Sequence, residues 1–76
     1  MHKFRVRLLT TVRDAKAPMT AAKLIEILNP PIYGAVYVAL ETLIGSGMLI
    51  KVGDGETATY NITYSGKSAL RRKLKI

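Results

Sequence analysis

After Gly47 the apolar residues of this chain change their period, and that switch limits the available folds more than any other feature. Upstream they recur every three or four positions. Downstream, Met48 to Val52 is a short β-type run, Gly53-Asp54-Gly55 is a turn signal, and Thr57 to Thr63 is rich in β-branched residues and tyrosine. This pattern predicts a hairpin. Helical spacing returns at Tyr64 or Ser65 and continues through Ala69, Leu70 and Leu74. A hairpin set among helices within 76 residues implies one small α+β domain spanning residues 1–76, with no room for a linker.

The upstream half divides into three helices. Phe4, Leu8 and Val12 fall every four positions, flanked by Leu9 and Ala15, with Lys3, Arg7, Thr10 and Asp14 opposite. Residues 3–8 also alternate as a strand would, but Leu8-Leu9 and the continuation to Val12 favour a helix. Pro18 ends it, since the residue before a proline avoids helical geometry. Thr20 is placed to cap a second helix, Ala21 to Leu28, whose inward residues are Leu24, Leu28 and either Ile25 or Ile27. Asn29 and Pro30 stop it. Pro31 suits the first position of a third helix, running from about Ile32 to Ser46. Val36, Leu40 and Leu43 form its inward side, with Tyr33, Tyr37 and Ile44 beside them. Gly45 and Gly47 end it, Gly47 in the left-handed conformation that follows many helices.

Composition narrows the chemistry. The chain has no cysteine, so disulfides, thiolate metal sites and cysteine nucleophiles are excluded. One histidine cannot supply a multi-histidine metal site. A chain of this size buries roughly 60% of its unfolded surface, so a substrate cavity would compete with the core. No catalytic constellation is present, and the expectation is a non-enzyme with no cofactor and no metal. No apolar run approaches the ~20 residues of a membrane span. The segment MHKFRVRLL is basic, but Arg5 and Arg7 interrupt its apolar stretch, so it does not read as a signal peptide. These features predict a soluble cytoplasmic protein. Twelve Lys and Arg against five Asp and Glu leave a formal charge of +7, which suits an anionic partner such as nucleic acid. A mean hydropathy of +0.16 is high for so small a monomer and points to apolar surface covered by a partner or second copy.

Three helices, a hairpin and a further helix is the order of a winged helix-turn-helix. Tyr37-x-x-Leu40-x-x-Leu43-x-x-x-Gly47-x-Leu49-Ile50 resembles the recognition-helix and first-wing-strand pattern of PadR-like and MarR-like regulators. Tyr60-x-Ile62-Thr63-x-x-Gly66-x-x-x-Leu70 is similar to their second wing strand and exit helix, and Met19-Thr20-x-x-x-Leu24 to their segment leading into the second helix. The matches span residues 19–70. Each matching residue also has a structural role: Leu40 and Leu43 as core, Gly47 as a cap, Thr63 and Gly66 as organisers of the last helix. The resemblance implies DNA binding, with the third helix in the major groove, the hairpin along the backbone or minor groove, and pairing on palindromic operators as a homodimer.

With Val36, Leu40 and Leu43 inward, helical geometry turns Gly34, Ala35, Val38, Glu41 and Thr42 outward. Arg, Lys, Asn and Gln are absent from Ile32 to Ser46. Thr42 is placed to donate to a base, Val38 to meet a thymine methyl, and the Tyr33 or Tyr37 hydroxyl to reach a phosphate. Phosphates are expected at Arg5, Lys23, Lys51 and Arg72, with Lys67 and Arg71 adding to the same charge. For the cluster Arg71, Arg72, Lys73 and Lys75 two readings stay open, phosphate contact and complementation of a helix dipole. The four tyrosines at these spacings predict half-buried core rather than a stacking platform for single strands. His2 reads as a disordered terminal residue, and Asp54 and Glu56 as a solvated turn.

The function expected is therefore a sequence-specific double-stranded DNA-binding transcriptional regulator that acts by occupying an operator. The alternative is a protein-interaction module of the same fold, docking a partner through the third helix. Its motive is the small, uncharged outward face of Gly34, Ala35, Val38 and Ala39, together with the acidic hairpin tip.

Overall fold

The structure is a computed structural model that describes residues 2–74. Lys75, the last member of the basic cluster, lies outside them. The chain forms helix α1 (Lys3–Asp14), strand β1 (Met19–Thr20), helices α2 (Ala21–Leu28) and α3 (Gly34–Gly45), strands β2 (Leu49–Val52) and β3 (Thr59–Ile62), and helix α4 (Tyr64–Leu74). The class is α+β, with four helices and one antiparallel three-stranded sheet among the described residues.

Local chemistry sets most of the boundaries. His2, expected to be disordered, instead caps α1: its Nδ1 accepts from the Phe4 N–H at 3.2 Å. Thr20 caps α2 as its position predicts, accepting from the Lys23 N–H at 3.2 Å. Asn29 ends α2 in the left-handed region at φ 46°, which asparagine tolerates better than most residues. Helix α3 ends in a Schellman motif. Gly47 takes φ 76°, its N–H donates to the Ile44 carbonyl, and the Met48 N–H reaches back to the Leu43 carbonyl at 2.9 Å.

Helix α3 begins later than proline at its first position would imply. Pro31 to Tyr33 form a turn, closed by bonds from Ala35 to Ile32 and from Val36 to Tyr33, and regular helix starts at Gly34. The hairpin strands are also shorter than predicted: β2 starts at Leu49 rather than Met48, and β3 covers only Thr59–Ile62, with Thr57 taken into a turn of 3₁₀ helix at Gly55–Thr57. Strand β1 was not anticipated. Its two residues pair Met19 with Tyr60 and Thr20 with Thr59, giving the order β1-β3-β2. Pro18 immediately precedes it.

The core gathers one face of every helix and the inner face of the sheet. Leu8, Leu9, Leu24, Val36, Leu40, Leu43, Leu49 and Leu70 are fully enclosed. Each such side chain contributes roughly 1.5–3 kcal/mol of transfer free energy against an extended reference. Ile25 packs against this core and Ile27 faces solvent, which decides between the two. Ala39 is buried, not outward, because it continues the inward row with Val36, Leu40 and Leu43. Tyr60 faces inward from β3, but Tyr33, Tyr37 and Tyr64 are 66%, 51% and 79% exposed and are not core residues. Tyr37 lies on the solvent side of α3, Tyr33 immediately precedes that helix, and Tyr64 is the first residue of α4.

A clasp joins the end of α3 to the start of α4. The Thr63 hydroxyl donates to the Gly47 carbonyl at 2.6 Å and accepts from the Gly66 N–H at 3.0 Å. The Thr63 N–H donates to the Met48 carbonyl at 3.0 Å. Gly66 comes so close to Met48 that a β-carbon there would overlap the Met48 carbonyl oxygen and lie 2.7 Å from Ile62 Cγ1.

Candidate nucleic-acid interface

Helix α3 and the hairpin face each other across a groove. The β2–β3 register places Lys51 opposite Tyr60, so both side chains share the inner face of the sheet. Because Tyr60 is buried there, Lys51 projects toward α3. Between them runs an open groove of about 490 Å³, lined by Tyr37, Leu40, Glu41 and Ile44 of α3, Lys51 and Tyr60 of the sheet, Ala21 and Ala22 of α2, and Gly55 and Glu56 of the hairpin. Ala21, Ala22, Leu40 and Ile44 give it apolar lining, and its two carboxylates and one ammonium sum to a formal charge of −1.

Next to this groove, on the outer side of α3, Tyr37, Val38, Glu41 and Thr42 wall a shallow hollow of about 310 Å³. These residues are three and four apart, and a helix brings such positions together on one face. All four are exposed, Val38 by 66%. Ala35, expected on the same face, is half-buried.

Three of the ten residues expected to bind DNA, Tyr37, Val38 and Thr42, thus meet in the hollow, and Lys51 joins Tyr37 in the groove. Tyr33 stands exposed at the N-terminal end of the same helix. The others lie apart. Lys23 is exposed in the first turn of α2, with its Nζ 3.7 Å from Glu26. Arg5 is half-buried on α1. Lys67, Arg71 and Arg72 are exposed on α4, where Arg72 and Lys73 border a separate open hollow with Met48 and Ala69.

The charges sort by location. Among the described residues only two ion pairs form, Arg13 with Asp14 at 3.0 Å and Lys23 with Glu26. Both are local and solvated, and such pairs contribute about 0–1 kcal/mol. The remaining acids, Glu41, Asp54 and Glu56, are all on α3 or the hairpin. Among the described residues the remaining cations, apart from Lys51, belong to α1, α4 and the α1–β1 turn.

Sequence reasoning did not foresee the groove, nor Glu41 and Glu56 on its rim. The alternation of Leu49 and Lys51 was the available signal. It puts both on one face of β2, and the burial of Leu49 then fixes which face. No group of three or more metal-ligating side chains occurs among the described residues. None of the described helices is long and apolar enough to cross a membrane.

No protein-family model and no curated protein matches the chain. Among solved structures, the crystal structure of RV1404 from Mycobacterium tuberculosis superposes on 99% of this chain with a TM-score of 0.84. The two chains share a fold. Their sequences are 16% identical, and the superposed region is 52% of the RV1404 chain, so this chain spans about half the length of that protein.

Proposed function

We propose that this chain is a small winged helix-turn-helix domain that binds double-stranded DNA sequence-specifically and regulates transcription by occupying an operator. In this reading α3 is the recognition helix and the β2–β3 hairpin is the wing. The observation that carries it is the outer face of α3. Tyr37, Val38, Glu41 and Thr42 form a contiguous exposed set beside Lys51, on a chain of charge +7. Exposed side chains on one helix face are what a major groove can admit. Phosphate contacts fall to Arg5, Lys23, Lys51, Lys67, Arg71 and Arg72, and to the Tyr33 and Tyr37 hydroxyls. Asp54 and Glu56 keep the hairpin tip away from phosphates.

A homodimer in the cytoplasm completes the proposal. Ile50 and Val52, both half exposed on β2, supply apolar surface that a second copy would cover. The test is retention of random duplex fragments by the purified protein over a salt series, followed by sequencing. Enrichment of a short palindromic site that survives rising salt supports the proposal. Retention without enrichment, lost as salt rises, would make the chain a backbone-only binder.

A second reading has its own observation. Helix α3 carries no cation, and Ile32, Tyr33, Tyr37 and Val38 present apolar surface on or beside it. That surface fits a protein partner, and absence of duplex retention at low salt would move this reading to first place.

A further inference from the structure

The hollow on α3 carries a narrower statement about which bases it accepts, and it rests on the DNA-binding reading above. Its four side chains offer a restricted set of chemistries: two γ-methyls from Val38, a carboxylate from Glu41, a hydroxyl and methyl from Thr42, and an aromatic ring edge with a hydroxyl from Tyr37. A carboxylate only accepts hydrogen bonds. In the major groove the donors are the N6 amine of adenine and the N4 amine of cytosine, while guanine shows only acceptors, O6 and N7. The usual partners of guanine are Arg and Lys, and α3 has neither. Val38 is 66% exposed, with no polar group to satisfy, and the one apolar feature it can meet on a base edge is the thymine C5-methyl.

We infer that Val38 and Glu41 set the specificity of this face: Val38 packs on a thymine methyl, Glu41 accepts from an exocyclic amine of adenine or cytosine, and guanine is rejected opposite Glu41. An A·T pair presents both features at once, the N6 amine on one base and the methyl on the other. Helical spacing puts Val38 and Glu41 three residues apart on one face, so they fall on the same or neighbouring base pairs. The read-out is sparse, and a large part of the affinity then comes from phosphates and falls steeply with salt.

The experiment uses the duplex most enriched from the random pool, synthesised once with thymidine and once with deoxyuridine, which lacks only the C5-methyl. The full chain and its Val38→Ala and Glu41→Gln variants are titrated with both. Both positions are exposed, and circular dichroism checks that the variants fold. Wild type is expected to bind the deoxyuridine duplex about fourfold more weakly for each contacted methyl, the value of one buried methyl group. Val38→Ala should lose most of that difference. Glu41→Gln, which can donate as well as accept, should admit guanine where wild type selects adenine or cytosine. Equal wild-type affinity for the two duplexes overturns the inference about Val38 and leaves DNA binding standing. Unchanged base preference in Glu41→Gln overturns the inference about Glu41. Failure to retain any duplex at low salt removes the DNA-binding reading itself, and this inference with it.

Discussion

The same substitution at two glycines should change stability in opposite directions. On helix propensity alone, alanine is up to ~1 kcal/mol better than glycine inside a helix. Gly45 and Gly66 both lie in helices, α3 and α4, and neither has a positive φ. At Gly45 a β-carbon would meet nothing within 4 Å, so Gly45→Ala should stabilise the fold by about 0.5–1 kcal/mol. At Gly66 it would overlap the Met48 carbonyl oxygen and press on Ile62 Cγ1 at 2.7 Å.

The Met48 carbonyl cannot yield easily, because it also accepts the Thr63 N–H, so α4 must move instead. That displaces Ala69 and Leu70 from the core and stretches the bond from Gly66 to Thr63. Overpacking of this kind costs about 1–3 kcal/mol, and rigid backbone puts it at the upper end. Less the propensity gain of about 1, the net loss is about 2 kcal/mol. A domain of 76 residues has roughly 4–11 kcal/mol in all, so the variant still folds. Thermal unfolding followed by circular dichroism should show Tm lowered by roughly 8–16 °C in Gly66→Ala and raised by a few degrees in Gly45→Ala. A Gly66→Ala variant as stable as wild type would refute the close approach of α4 to Met48.

Other expectations follow from the same structure. Thr63→Val removes a donor and an acceptor from the clasp and should cost about 1–2 kcal/mol in urea unfolding, with Thr63→Ser recovering most of it. Thr20→Ala should lower stability by about 1 kcal/mol by freeing the Lys23 N–H; no change would mean that water replaces the cap fully. On the DNA-binding reading, Lys23→Ala with Arg72→Ala should reduce the slope of log affinity against log salt by about 1.8, and an identical slope would show that neither touches phosphate. Val38→Arg separates the two functional readings: it should abolish capture of a protein partner, whereas on DNA it should blur the site preference while non-specific duplex binding stays equal or strengthens.

How far the fold could be read in advance depended on whether a residue acts through its neighbours in sequence or through packing. Thr20, Asn29 and Gly47 act locally, each through backbone groups within five residues, and their roles were legible from type and position. The hairpin was legible as a change of period and its turn as Gly53-Asp54-Gly55, but the second strand was started too early because the β-branched Thr57 suits a strand as well as the end of a 3₁₀ turn. Strand β1 is two residues long, too short to carry a period, and exists only because Tyr60 and Thr59 come alongside. Helix α3 was the least legible element. Gly34–Gly45 holds Glu41 as its only charge and has apolar residues on all sides, so its rotation about its own axis was weakly specified. That is why Ala39, expected outward, lies inside, while Tyr37, expected against the core, is about half exposed at its edge. The candidate site sits on this helix, so its composition was readable but its assembly with Lys51 across the groove was not.

The strand order has a consequence for how many chains can join through the sheet. One margin is β1, two residues long and preceded by a proline without an N–H to offer. The other is β2, four residues with an open row of backbone donors and acceptors and Lys51 as their single charged guard. Strand addition thus has a valence of one. Two chains meeting β2 to β2 would use up the only margin long enough to extend, and the joined sheet would present just its two blunt ends, so this geometry closes at a pair and does not propagate into a fibre.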